Sequence, residues 1–211
     1  MSTTFKVFPT TTIDISFGQV INTSERHINH FLKRIGLSKT IKLKVNIHDN
    51  DETYIKNIQL DSKFDWENNE YAWFSIEGTV GGTDAYCEEI NGSDIDPEHP
   101  WWKLEILEEN NNSIQNFREK LGKAKLLNRY WQFRRSAGQP GIIALSYGYI
   151  CASIAELSDG ILWTDDGAWD IKRFPAVSSE FFDWYFQPDK ATTYDADWSK
   201  ECIDSIKKEF F

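Results

Sequence analysis

Cysteine is scarce in this chain and scattered where it occurs. Cys87, Cys151 and Cys202 are the three in 211 residues, an odd number at wide spacing with no CxxC pair. That excludes a disulfide framework or a thiolate zinc site as the organising feature. Basic charge is also short, with 23 Lys and Arg against 33 Asp and Glu, a net charge of −10 and a pI near 4.9. Neutralising a phosphate backbone needs a basic face, so this balance argues against nucleic acid and favours a basic partner. No run approaches the ~18 apolar residues of a membrane span. The opening MSTTFKVFPTTT lacks the charged-then-apolar order of a secretion signal. The expected setting is therefore a reducing cytoplasm. Internal repeats, low-complexity segments and linkers are missing as well, and one domain over residues 1–211 is expected.

Aromatic residues, by contrast, are plentiful. Trp 9, Phe 14 and Tyr 8 bring them to 15% of the chain, more than a core of this size strictly needs. The chain is organised around residues 139–175, QPGIIALSYGYICASIAELSDGILWTDDGAWDIKRFP. From Ile142 to Ala155 no side chain is charged, and small residues (Ala144, Ser146, Gly148, Ala152, Ser153) are interspersed with Leu145, Tyr147, Tyr149, Ile150 and Ile154. Pro140 before it and Asp159-Gly160 after it mark helix ends, so this stretch reads as a helix buried on most faces. Ile161-Leu162-Trp163 then reads as a short strand and Thr164-Asp165-Asp166-Gly167 as a turn.

Alternation elsewhere gives strands at Thr3 to Val7, Ile13 to Phe17, Ile41 to Ile47 and Tyr71 to Glu77, with a short strand or turn around Tyr54 to Leu60. Gly78-Thr79-Val80-Gly81-Gly82 reads as a hairpin or bulge, because the Gly-Lys-Ser/Thr ending of a phosphate loop is missing. Ile28, Phe31, Leu32 and Ile35 form an amphipathic helix whose N-cap is sought in Thr23-Ser24-Glu25. Residues 84–109 carry nine carboxylates against Lys103 alone and read as an acidic loop, which Trp101 to Leu107 leaves as a strand. Residues 118–135 reverse the sign, with seven Lys and Arg against Glu119. They read as a helix whose apolar side is thickened by Tyr130, Trp131 and Phe133 and whose charges pair internally. Further helices follow at Ser178 to Phe186 and Asp197 to Phe210. The expected fold is α+β: a mostly antiparallel sheet from the N-terminal half, packed against helices largely from the C-terminal half.

Chemistry-bearing groups are few. Asp165, Asp166 and Asp170 form the tightest carboxylate cluster and would suit a divalent metal or an acid–base pair, although TDDG is first of all a turn sequence. A metal-dependent hydrolase at this turn is thus one reading. His27 and His30 share a helix with no HExxH pattern and read as solvated, His48 and His99 fall in loop-like segments, and Cys151 reads as a small core residue. No catalytic residue, metal or cofactor is assigned. A different class of reading rests on residues 84–109. There Tyr86, Glu88, Glu89, Asp94, Asp96, Glu98, Trp101 and Trp102 combine aromatic anchors with steering charge, as a protein interface does. A structural or adaptor role in a secretion or phage particle is a third reading, suggested by aromatic richness alone.

The small-residue helix, its Asp159-Gly160 exit, the TDDGAWD turn, Phe174-Pro175 and FFDWYF at 181–186 together resemble immunity proteins of bacterial polymorphic toxin and type VI secretion effector systems. The resemblance spans roughly residues 139–187. It implies an α+β fold and a cytoplasmic bacterial protein that binds a cognate toxin, often a nuclease, and occludes its active site without catalysis. It further implies that Trp163, Trp169, Trp184 and Tyr185 are packing positions. Toxin contacts would then come from the acidic loop, with Asp165, Asp166 and Asp170 in either role.

Overall fold

Strand-type alternation and one helix charged only near its C-terminal end account for most of the architecture. The computed structural model describes residues 2–11, 14–49, 51, 55–89, 114–164, 171–190 and 196–210. Seven strands are described: β1 (Ser2–Phe8), β2 (Leu43–Asp49), β3 (Ile55–Asn57), β4 (Glu70–Ile76), β5 (Gly82–Glu89), β6 (Arg129–Ser136) and β7 (Ile161–Trp163). They form a single sheet in the order β3-β2-β4-β5-β6-β1-β7, with every neighbouring pair antiparallel. The helices are α1 (Phe17–Arg34), α2 (Phe117–Leu127), α3 (Gly141–Leu157), α4 (Ser178–Trp184) and α5 (Ala196–Phe210). The fold is α+β. None of the described helices is long and apolar enough to cross a membrane.

The central helix α3 is buried at every position from Gly141 to Ala155. It touches α1, α4 and α5 as well as β1, β5, β6 and β7. Burying a helix on all sides requires its polar atoms to be satisfied internally. The Ser146 and Ser153 hydroxyls accordingly donate to the carbonyls of Ile142 and Tyr149, each at 2.7 Å. Small residues bring neighbours close: Gly148 lies directly under the Tyr185 ring. Phe5, Tyr147, Tyr185 and Phe181 stack around that contact, with centroids 4.5–6.0 Å apart.

Three expectations are corrected. The first helix does not begin at Thr23-Ser24-Glu25, and Ile15 to Phe17 do not continue a strand. Ser16 is the N-cap, its hydroxyl accepting from the Gln19 N–H at 3.2 Å while Gln19 Oε1 accepts from the Ser16 N–H at 2.8 Å. This reciprocal pair satisfies two orphan donors and outcompetes a cap two turns later. Ser24 and Glu25 are instead buried within α1. Glu25 accepts from the Leu43 N–H at 2.8 Å, and the Asn29 amide bonds both the N–H and the C=O of Ile41. Side chains of α1 thus blunt the start of β2, where an open sheet edge would invite pairing with another chain.

The second correction concerns residues 118–135, which are half helix and half strand. Asn128 adopts φ 51° and ends α2, and β6 begins at the next residue. Asn tolerates this left-handed conformation, which turns the chain out of the helix. From Tyr130 the pattern has period two: Trp131, Phe133 and Arg135 face the core, while Gln132 and Arg134 are on the opposite face. Third, the acidic loop begins later than residue 84, because residues 82–89 form β5 in the middle of the sheet. The β4–β5 connection is the expected hairpin, turning through Gly78 and Gly81 at φ 76° and 93°. Only glycine adopts such angles without strain.

Candidate functional site: the outer sheet face

The antiparallel register decides which side chains share a face. On the side of Ala72, Ala85 and Phe133, which are opposite one another in β4, β5 and β6, the sheet packs into the core. The other side carries His48 from β2, Tyr71 and Trp73 from β4, Asp84, Tyr86 and Glu88 from β5, and Gln132 and Arg134 from β6. His48 stacks on Tyr71 at 5.1 Å, and Tyr71 meets Tyr86 at 5.9 Å. The Arg134 guanidinium lies 5.8 Å from the Tyr86 centroid. All four aromatic groups of this row, His48, Tyr71, Trp73 and Tyr86, are half-buried, which leaves ring surface in contact with solvent.

A charged group sits in the middle of the row. Asp84 is 6% exposed and Arg134 is exposed. Arg134 Nε donates to Asp84 Oδ2 at 2.7 Å, its Nη2 donates to the same oxygen, and the Tyr86 hydroxyl donates there at 3.0 Å. Burial and the neighbouring Asp84 push the Tyr86 phenol up to about 12. It therefore remains a donor at any ordinary pH and is not a general base.

At the β5–β6 end on the core side is a second cluster. Arg129 grips Asp65 through Nη2 at 2.7 Å and Nη1 at 3.3 Å, and its Nη2 lies 2.7 Å from Cys87 Sγ. Burial pushes the Cys87 thiol up in spite of the guanidinium, so it is not held as a thiolate. Burial opposes ionisation of Asp65 too, but the Arg129 hydrogen bond and charge hold its carboxyl below the usual range. The cluster ties the segment before β4 to the sheet and offers no activated nucleophile.

The residues expected from sequence divide accordingly. Tyr86 and Glu88 lie side by side on the outer face, while Glu89 is an exposed residue at the end of β5 opposite Arg129. Asp94, Asp96, Glu98, Trp101 and Trp102 lie outside the described residues, as do Asp165, Asp166, Asp170, Trp169 and His99. Trp163, Trp184 and Tyr185 are 2%, 7% and 1% exposed and sit in the core. Cys151 is fully buried. His48 is in a strand and not a loop, and His27 is not simply solvated. The His27 ring stacks on Phe182 at 4.1 Å, and its Nε2 lies 2.6 Å from Glu156. The basic stretch does pair internally, Lys120 with Asp159 at 2.6 Å, Arg129 with Asp65 and Arg134 with Asp84.

Sequence reasoning missed Trp73, Tyr71, His48, Asp84 and Arg134 as a group. Each alternates with core residues along its own strand, a signal that was present. That they meet depends on a cross-strand register that no single strand encodes. Among the described residues no group of three or more His, Cys, Asp or Glu side chains is arranged to hold a metal ion. The described residues also line concave regions. One of about 500 Å³ has Lys39, Lys42, Val80, Pro140 and Phe210 among its walls, and another of about 260 Å³ has Phe64, Arg129 and Trp131. Set against known protein families, curated proteins and solved structures, the chain matches none of them.

Proposed function

We propose that this chain is an immunity protein of the kind its residues 139–187 resemble, acting in the bacterial cytoplasm by binding a toxin and covering its active site. The observation that carries the reading is the outer sheet face, where Tyr71, Trp73, Tyr86 and Arg134 form a continuous half-exposed row. Tyr, Trp and Arg are the side chains that dominate binding energy at protein interfaces, single anchors contributing ~2 kcal/mol or more. Held on paired strands, they lose little conformational freedom on docking. Residues 90–113, which follow β5 in the sequence, include Asp94, Asp96 and Glu98. With a net charge of −10, the protein steers towards a basic surface such as a nuclease's phosphate site.

The test begins with a pull-down of tagged protein from its native host, with mass spectrometry of what stays bound. The expected partner is a toxin domain whose expression is lethal without this chain. A Trp73→Ala/Tyr86→Ala variant should bind that partner at least 100-fold more weakly and lose protection while keeping its thermal transition. If the folded variant binds and protects normally, the outer face is not the interface. A folded, abundant bait that retains no specific partner removes the binding reading altogether.

A further inference from the structure

Arg135 and Lys6 are the two buried basic residues among those described. The partly buried Arg129, by contrast, is paired with Asp65. Arg135 is 8% exposed, and no ion pair joins it to a carboxylate among the described residues. Its guanidinium carbon lies 6.0 Å from the Tyr147 centroid and 5.9 Å from that of Trp198, and Nη1 donates to the Ser136 carbonyl at 3.3 Å. Its Nε is buried without an acceptor.

Two hydroxyls nearby are in the same condition. Thr3 is directly opposite Arg135 across β1 and β6, and its Oγ1 is buried without a partner. Tyr147 is fully buried, and its phenol oxygen lies within reach of the Thr3 hydroxyl and of no other partner. Burial pushes this phenol well above 10, so it stays protonated and remains a donor. A charge taken out of water is tolerated when it is paired, and orphan polar atoms in native interiors are few. Here the two hydroxyls can serve only one another, and the Arg135 Nε–H and charge are left without a carboxylate among the described residues. Flanking rings soften the cost of the charge but do not pair with it.

We propose that Arg135, Thr3 and Tyr147 form an internal oxyanion site that takes one carboxylate group. The chemistry follows from the donors: a carboxylate offers two oxygens with about four acceptor positions and the opposite charge. The half-buried Trp198, on the first turn of α5, roofs the guanidinium, so a ligand enters where that indole turns aside. This site lies on the core side of the sheet and does not depend on the outer-face reading. Two sources can supply the group, a small free carboxylate or the side chain of an acidic residue.

The experiment follows the Arg135 Nε–H resonance of ¹⁵N-labelled protein during titration with formate and, separately, N-acetylglutamate, at constant pH and ionic strength with chloride as balance. Arg135→Lys identifies the resonance. A saturable shift with formate alone supports a site for a small free carboxylate, and a shift with both supports one that also admits an acidic side chain. In parallel, the thermal midpoint should rise by about 3–6 °C at formate ten times the dissociation constant. Arg135→Met should abolish that rise. A resonance that moves with neither ligand overturns the proposal, as does an equal formate-dependent rise in Arg135→Met, which would make the effect a general one of the salt. If Arg135→Met does not fold, the wild-type titration decides alone.

Discussion

Gly148→Ala inverts an ordinary rule and so tests the packing at the centre of the molecule. Inside a helix, replacing Gly by Ala stabilises by ~1 kcal/mol, because Gly loses more backbone freedom on folding. At Gly148 an added Cβ would stand 2.3 Å from Cε1, 2.4 Å from Cζ and 2.7 Å from the hydroxyl of Tyr185. The ring would have to move by about 1 Å to restore ordinary carbon contacts. It has nowhere to go, being stacked on Phe181 at 4.5 Å and edged by Phe186 at 4.9 Å, with its hydroxyl donating to the Ala144 carbonyl at 2.6 Å. Overpacking of this kind costs ~1–3 kcal/mol, and an orphaned buried hydroxyl adds ~1–3 kcal/mol. Net of the helix gain, the variant should lose about 1–5 kcal/mol, a fall of roughly 2–20 °C in thermal midpoint for a chain of this size. Urea unfolding should show a lower midpoint at unchanged m. Adding Tyr185→Leu should make the pair less damaging than the sum of the two changes, because the second removes the obstacle to the first. A Gly148→Ala protein as stable as wild type would refute the close approach of α4 to α3.

Gly122→Ala provides the contrast: Gly122 lies in the exposed part of α2 with nothing within 4 Å of an added Cβ, so calorimetry should show a gain of ~0.5–1 kcal/mol. Arg134→Met leaves the buried Asp84 carboxylate without its cation; because Arg134 is half-exposed, the loss should be nearer ~1–2 kcal/mol than the ~3–5 kcal/mol of a fully buried pair, and Asp84→Asn in the same chain should recover part of it in a double-mutant cycle. Burial raises the Tyr149 phenol to about 12, so the unfolded chain ionises first; the stability this group contributes is present below pH 10 and is lost as pH rises from 10 towards 12. Tyr149→Phe should therefore flatten the alkaline fall in denaturation midpoint, by up to ~1.4 kcal/mol per pH unit over that window, and an unchanged slope would contradict the burial.

Local chemistry was legible wherever one element satisfied itself. An uncharged run that includes Ile142 to Ala155 has no other use than a buried helix, and α3 occupies that place. Leu43, Val45 and Ile47 alternate with polar residues because β2 has one wet face, and the helices at 178–184 and 196–210 follow their apolar spacing. The errors arose where two local signals competed. Thr23-Ser24-Glu25 is an acceptable cap in isolation, but Ser16 and Gln19 cap each other, and Glu25 is more useful to the Leu43 N–H. In residues 129–135 the charges at Arg129, Arg134 and Arg135 masked a period-two strand, and only the carboxylates of Asp65 and Asp84 on other elements explain two of those arginines.

The chain by itself determined its α+β class, its central helix, most of its strands and its acidic balance. Those properties depend on composition and on periods of two and 3.6 residues, which are written in neighbouring positions. Tertiary structure alone decided that β6 lies between β5 and β1, that His48, Tyr71, Tyr86 and Arg134 form one surface, and that Arg135 turns inward beside Thr3 and Tyr147. Each depends on cross-strand register, and shifting one strand by a single residue would send every one of its side chains to the opposite face.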